Sequence, residues 1–443
     1  MAGTVSACVP GQGRVTVIKG ESMPKNALYA QSGGVTAVIN ASAWGVIEAV
    51  RAHPAHFGTC YAAHDGILGV LNEEIFDLDQ EDPLTLKALR HTPGGAFGSC
   101  RFDLGDPDRD RRQYERLVEV FRAHDIGYFF YNGGGGSMDT ALKVARIGDL
   151  MGYPITAVGV PKTIDNDLDA TDTSPGFGSA AKFIATVVRE ASLDVESMHT
   201  SSTRVFILEV MGRHAGWLAA AAALAQEYDG QPPMLILFAE IPFDEADFLT
   251  NLQLAIERHG YCVVVVSEGL KHADGSLFAV AQSHDVYAYT QLGGAAPRLA
   301  EMIKKGTGHK LHWSVVDYIQ RAARHLASRA DVDQAYAVGK AAVEGVVAGH
   351  HSFMPVILRE SSVPYRWTIS RVPLERVANI ERGMPREFIT PDGYGITQAC
   401  RDYLRPLIEG EDYPPFEHGL PCYSRIRGVL LPKRCPEFRI NGD

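Results

Sequence analysis

Ile155-Thr156-Ala157-Val158-Gly159-Val160 runs without a charge into Pro161-Lys162-Thr163-Ile164-Asp165-Asn166-Asp167, and a second periodic stretch follows from Ser179 to Leu193. The first segment is apolar almost throughout, as a strand buried on both faces of a parallel sheet should be. In the last segment Phe183, Ile184, Val187, Val188 and Ala191 recur at helical spacing, with Ser179 placed as the N-cap. The same order of strand, loop and helix repeats on either side. Further strands are expected at Ala27–Ala30, Tyr128–Tyr131, Arg204–Val210, Met234–Phe238 and Cys262–Val266. Helices are expected at Val38–Arg51, Met138–Gly148, His214–Ala225 and Glu245–His259. This alternation predicts a doubly wound α/β architecture. From about Ser352 the pattern weakens and Pro recurs, so the remainder is expected to drape over the core.

The 443 residues are enough for two large lobes or about three smaller units. A core of that size needs no disulfide or metal to fold. With 42 basic and 53 acidic residues the net charge is −11, which argues against nucleic acid as a partner but leaves room for a locally basic pocket. The 7 Cys are odd in number and include no C-x-x-C pair, so reduced thiols in a cytoplasmic protein are expected. No apolar run approaches the ~20 residues that span a bilayer, and no membrane partner is expected. The first 25 residues lack the apolar stretch of a signal peptide and read as an extension ahead of the first strand.

Ligands in doubly wound sheets sit beyond the carboxyl ends of strands, beside helix N-termini. Four loops occupy such positions. Gln31-Ser32-Gly33-Gly34-Val35-Thr36 would let backbone N–H groups approach an anion, although Gly pairs at strand ends also make plain turns. Thr92–Arg101 joins a Gly-rich loop to one Arg, a fork donor for phosphate or else a solvated side chain. Asn132-Gly133-Gly134-Gly135-Gly136-Ser137 spends backbone entropy on four consecutive glycines, which suits a phosphate cradle better than a linker. It has neither a P-loop ending nor dinucleotide spacing. In Pro161–Asp167, two carboxylates at i and i+2 beside a Lys suit proton removal from a hydroxyl next to a bound phosphoryl group. The bland alternative there is an Asx-type turn.

Downstream, Met211-Gly212-Arg213, Glu268 and Tyr318-Ile319-Gln320-Arg321 stand near further strand ends. In this order the segments resemble the phosphofructokinase family over about residues 27–345, most specifically at Pro161–Asp167 and Met211–Arg213. Lys162, Tyr318 and Thr173-Ser174-Pro175-Gly176-Phe177-Gly178 look most like its pyrophosphate-dependent branch. The resemblance implies two doubly wound Rossmann-like α/β/α lobes around a cleft. It divides the chain into an extension (1–25), a donor-binding lobe (26–176, completed by part of 320–370), a fructose 6-phosphate lobe (177–319) and a tail packed on both (371–443).

The implied reaction is phosphoryl transfer from pyrophosphate to the 1-hydroxyl of fructose 6-phosphate with Mg²⁺, in a homodimer or homotetramer. By resemblance Asp165 is the base, with Lys162 and Arg213 the other catalytic residues. Gly34, Arg101, Gly135, Gly136 and Ser137 would meet the donor, and Asp167 the metal. Thr163, Ile164, Asp165, Met211, Gly212, Arg213, Glu268, Tyr318 and Arg321 would hold the sugar phosphate, and Arg204 would reach a neighbouring subunit's site. One departure stands out: the metal-associated Asp or Asn of the family is Gly135 here, followed by Gly136 as in ATP users. An ATP-dependent kinase, or a weakly active or non-catalytic sugar-phosphate-binding paralogue, are therefore the alternatives. Retention of Asp165, Asp167, Lys162 and Arg213 argues against loss of catalysis.

Overall fold

The computed structural model describes residues 24–228, 230–284 and 290–440. Most of the expected N-terminal extension, with Cys8, lies outside the described residues. In chain order the strands are β1 (Asn26–Gln31), β2 (Cys60–Ala63), β3 (Ile75–Asp77), β4 (Ile126–Gly133), β5 (Thr156–Pro161), β6 (Val205–Val210) and β7 (Leu235–Leu237). They continue with β8 (Cys262–Ser267), β9 (Val280–His284), β10 (Thr290–Leu292), β11 (Leu311–Val315), β12 (Phe353–Ser362) and β13 (Tyr365–Pro373). All six expected strands form, most of them a residue or two longer or shorter than expected.

Seven strands make one sheet in the order β13-β12-β5-β4-β1-β2-β3, parallel except for antiparallel β3 and β13 at its two edges. Its strands bury both faces by alternation. Leu28, Phe129, Tyr131 and Ala157 pack beneath helices Arg112–Ala123 and Gly135–Leu150. Ala27, Tyr29, Phe130 and Val158 pack beneath Ile39–Ala52 and Arg329–Val347. The latter two helices approach closely through Gly45 and Gly339, where an added Cβ would lie 2.3 Å from Tyr336 O and 2.1 Å from Ser42 O. A second sheet, β11-β6-β8-β7, is parallel throughout. Its two faces pack on Phe177–Met198 and on Glu245–His259 with Ala295–Thr307. This is the two-lobed α/β arrangement expected. No helix among the described residues is long and apolar enough to cross a membrane.

Three local expectations need correction. Ser179 is not an N-cap: its helix runs Phe177–Met198 and begins after Gly176, which has φ 112°. Asp331, from a distant helix, accepts from Gly176 N at 2.8 Å and from Ser179 N at 2.9 Å, so a long-range carboxylate replaces the local cap. Second, the helix expected from His214 starts only at Trp217, because Gly212 at φ 134° breaks the chain's direction first. Third, the stretch after Ser352 does not merely drape. Phe353–Pro373 forms the β12–β13 hairpin and adds two strands to the large sheet. β13 alternates half-buried and exposed residues, as an outer strand with one wet face does.

Candidate active site

The carboxyl ends of the two sheets face one another across a cavity of about 700 Å³. The loops after β1 and β5 supply Gly34, Val35, Lys162, Thr163, Ile164, Asp165 and Asp167, and Arg101 joins them from the loop beside β1. The opposite wall comes from the ends of β6, β8 and β11: Met211, Arg213, His214, Glu268, Asp317, Tyr318 and Arg321. In the large sheet, strand order reverses next to β1 and β4, so the loops leaving them diverge and open a crevice.

At one end of the cavity, cations gather around a glycine pair. Lys162 Nζ donates to Gly34 O at 2.6 Å, and Gly33 is held by a bond from its N to Cys100 O at 2.8 Å. A Cβ on Gly34 would stand 2.5 Å from Arg321 Nη1 and 3.5 Å from Arg101 Nη2, so this position stays bare to let both guanidiniums close in. Burial pushes the Lys162 ammonium down to about 8, and repulsion from Arg321 and Arg101 adds to the shift. Mutually repelling cations beside close backbone are a site for a compact anion.

Within reach of Lys162, carboxylates crowd together. Burial pushes Asp165 up to about 7, with further contributions from Asp167 and Glu268. Asp167 is also raised, by burial and then by Glu381. The loop geometry is local: Asp165 N donates to Thr163 Oγ1 at 3.1 Å, and Asn166 adopts φ 54° with its Oδ1 accepting from Ser174 N at 3.0 Å. Glu268 is held at the cavity by Gly212 N at 3.3 Å, and burial raises its pKa. Ser267 Oγ donates to Gly212 O at 2.7 Å and pins the Met211–Arg213 turn from the strand behind it. Met211 N donates to Gln320 Oε1 at 3.2 Å, tying that turn to the segment that carries Tyr318 and Arg321. The Arg321 guanidinium lies over the Tyr318 ring, 3.7 Å from its centroid.

A family model described as Phosphofructokinase matches residues 26–346. The chain belongs to that family. Over 415 residues it is 58% identical to the pyrophosphate–fructose 6-phosphate 1-phosphotransferase of Halomonas elongata, covering 94% of this chain and 99% of that one. The same comparison with the enzyme of that name from Methylococcus capsulatus gives 58% over 410 residues, 93% of this chain and 98% of the other. The solved pyrophosphate-dependent phosphofructokinase of Marinobacter aquaeolei superposes with a TM-score of 0.86 at 56% identity, over 94% of this chain and all of that one.

Of the residues singled out by sequence, this phosphofructokinase fold brings together Gly34, Arg101, Lys162, Thr163, Ile164, Asp165, Asp167, Met211, Arg213, Glu268, Tyr318 and Arg321. Gly212 reaches the cavity only through its bond to Glu268. Gly135, Gly136 and Ser137 do not line it. They open the helix Gly135–Leu150, and Ser137 Oγ is spent on Ser32 Oγ at 2.8 Å. Arg204 is exposed at the start of β6, at the end of the strand away from the cavity. Asp139, in the same helix as Gly135, pairs with Lys143 at 2.7 Å.

Sequence reasoning missed Glu209, Asp317 and Glu381, all of which line the cavity. Glu209 carried a signal: a carboxylate inside the apolar run of β6. It is 1% exposed and accepts from Gly294 N at 3.0 Å and Ala296 N at 2.8 Å, capping the helix Ala295–Thr307. Glu381 had none, because it lies far along the Pro-rich tail. It contacts His214 Nδ1 across the cavity rim.

Proposed function

We propose that this chain transfers a phosphoryl group from pyrophosphate to the 1-hydroxyl of fructose 6-phosphate, giving fructose 1,6-bisphosphate and phosphate in a potentially reversible glycolytic step. The observation that carries the reading is the convergence of cations and carboxylates in the cavity. Lys162, Arg101 and Arg321 gather at bare Gly34, and Lys162 also lies within electrostatic reach of Asp165 and Asp167, so cations and carboxylates meet in one cavity. The lobe of the large sheet (26–176, completed by part of 320–370) takes the donor. The lobe of the second sheet (177–319) takes the sugar phosphate, and the tail from 371, as far as residue 440, packs on both.

The chemistry follows from these positions. Asp165 accepts the proton of the attacking hydroxyl, for which a carboxylate pushed up to about 7 is matched to neutral pH. Lys162 and Arg213 offset negative charge as the phosphoryl group moves to the sugar oxygen, and Lys162 neutralises the departing phosphate. Thr163 and Ile164 shape the wall beside the base, while Met211, Gly212, Glu268, Tyr318 and Arg321 orient the sugar phosphate.

The hard carboxylate oxygens of Asp167 suit Mg²⁺, which commonly uses one or two carboxylates plus substrate phosphates rather than a full protein cage. Asp167 is the metal carboxylate in this reading, since Gly135 offers no side chain. When bound, the ion would neutralise phosphoryl oxygens.

ATP as donor is the second reading, because Gly136 carries no side chain beside the cavity, although it lies outside the lining itself. A coupled assay offering fructose 6-phosphate with pyrophosphate or with ATP distinguishes the two. Turnover with ATP alone overturns the pyrophosphate assignment, and no turnover with either overturns catalysis. A cytoplasmic setting fits the unpaired thiols at Cys60, Cys100, Cys262, Cys400, Cys422 and Cys435. A homodimer or homotetramer fits the open edge strand β11, where Trp313 is 48% and Val315 39% exposed beside the cavity mouth. Light scattering on the purified protein tests it.

A further inference from the structure

Four hydrogen bonds tie Arg382 to the loop that carries Asp165 and Asp167. Its main-chain N–H donates to Asp167 O at 2.7 Å, and its Nη2 donates to Asn166 O at 3.0 Å. Its Nη1 donates to Thr171 O at 2.6 Å and Asp172 O at 3.1 Å. The guanidinium carbon lies 5.2 Å from the centroid of the Trp217 ring, which supports it from one side. Leu168 and Glu381 form an antiparallel bridge, so the segment runs along the loop as a short extra strand would. Two residues earlier, Asn379 N donates to Gly135 O at 3.2 Å. Residues 379–382 thus join the start of the helix Gly135–Leu150 to the aspartate loop. All of them lie outside residues 26–346, the part matched by the family model.

The loop has reason to need an outside brace. Asn166 and Ala170 are left-handed at φ 54° and 61°, so the chain between them follows no regular ladder. Carbonyls that no regular ladder serves need donors from elsewhere when they are withdrawn from water. The planar fork of an Arg can serve several carbonyls at once, which a Lys ammonium on a flexible stem cannot do with the same geometry. All the oxygens that accept from Arg382 belong to the backbone of residues 166–172.

We propose that Arg382 is a positioning residue of the phosphoryl-transfer site. By holding the carbonyls of Asn166, Asp167, Thr171 and Asp172, it fixes how Asp165 and Asp167 face the cavity. It contacts no reacting atom and acts only through the loop. The inference rests on the reading of Asp165 as the base, and wild-type turnover of fructose 6-phosphate with pyrophosphate checks that reading separately. If the wild type is inactive, the proposed function fails. If it is active, the Arg382 variants decide the inference.

In full-length Arg382→Ala, kcat should fall by about 10²-fold, the usual scale for misplacing a catalytic group by about 1 Å. KM for fructose 6-phosphate should stay within about twofold, because Arg213, Glu268 and Tyr318 come from the other sheet. Millimolar guanidinium added to this variant should restore part of kcat, and Arg382→Lys should fall between the two. An unchanged kcat overturns the inference. So does a loss in which kcat and KM worsen together with no response to guanidinium, since that is the mark of general damage to the fold. Should Arg382→Ala fail to fold, Arg382→Lys keeps the charge and carries the same measurement. A drop in kcat at constant KM then supports the brace, and an unchanged kcat removes it.

Discussion

The large sheet meets the cavity with a bare glycine loop set beside charged side chains, Arg101, Lys162, Asp165 and Asp167, and the small sheet meets it with side chains carried on strand ends. Around Gly33 and Gly34 the chain contributes main-chain groups at close range, and Lys162 is anchored onto one of them. At the ends of β6, β8 and β11 the contributions are Glu209, Arg213, Glu268, Asp317 and Arg321. The outer edges differ as well. Antiparallel β3 and β13 close the large sheet, whereas β11 leaves the small one open. In the proposed reaction this division has a chemical logic. A small inorganic anion is gripped best where no side chain keeps it from backbone and cations. A sugar phosphate, with hydroxyls at several heights, needs side chains of several lengths on a rigid frame.

The strongest way to break this division is at the one carboxylate that must serve both sides. Asp165→Asn should keep the fold and the binding of fructose 6-phosphate while kcat falls by about 10²–10⁴-fold, the usual contribution of a general base. Steady-state rates with calorimetric sugar-phosphate binding check both halves. A variant with near-normal kcat would falsify the role of Asp165 as the base.

Arginines on the small-sheet side come next. Hydrogen bonds to charged groups contribute about 1.5–3 kcal/mol, a factor of about 10–10². Arg213→Lys and Arg321→Lys should each lose that much kcat/KM, because a point charge does not reproduce the fork. Arg321 also closes over bare Gly34, so its loss should raise KM for the donor as well as for the sugar phosphate. If KM values and kcat for both variants match the wild type, the second wall does not hold substrate.

Between these effects lies the pH response. The base must be deprotonated, so the rate should climb as pH rises through about 7, where Asp165 titrates. Lys162 must be protonated, so the rate should fall again above about 8. The product is a narrow bell in kcat/KM, with about a tenfold loss per pH unit outside each limb. Lys162→Arg, slower overall, should lose the alkaline limb because a guanidinium stays charged. A bell that keeps its alkaline limb in that variant assigns the limb to another group.

What could be read from sequence follows the same division. Strands buried on both faces announce themselves as apolar runs, so β1, β4, β5, β6, β7 and β8 were expected within a residue or two of where they lie. Motif residues that end those strands converge as expected, because a parallel sheet delivers every carboxyl end to one side. Residues that act from a distance left no local mark. Asp331 caps a helix more than 150 positions earlier in the chain, and Glu381 reaches the cavity from a Pro-rich stretch with no period. The β12–β13 hairpin was missed because its outer strand is half wet and its inner strand is apolar only over its first part.

The smallest effect expected concerns the donor corner, where the chain departs from its family. Gly135 and Gly136 are the first residues of a helix that has no acidic residue in its first turn. Neither requires a left-handed backbone, and an added Cβ would come no closer than 3.6 Å at Gly135 or 3.9 Å at Gly136. The double variant Gly135→Asn with Gly136→Asp should therefore fold. Replacing glycine reduces the freedom of the unfolded chain, for about 0.4–1 kcal/mol at each compatible site. A carboxylate at a helix N-terminus adds about 0.3–1 kcal/mol more. Against this stands repulsion from Asp165 and Asp167, which Lys162 and a bound divalent cation offset. Side chains long enough to reach the cavity from positions 135 and 136 would cost a nucleotide more space than pyrophosphate. The ratio of pyrophosphate to ATP turnover should rise by about 3–10-fold, the scale of a modest steric element set against one competitor. The Mg²⁺ concentration for half-maximal rate should fall with it. Initial rates against Mg²⁺ with each donor, for wild type and variant, carry the test. A folded variant whose donor ratio and Mg²⁺ requirement both stay put means that discrimination lies with Lys162 and the Gly34 cradle.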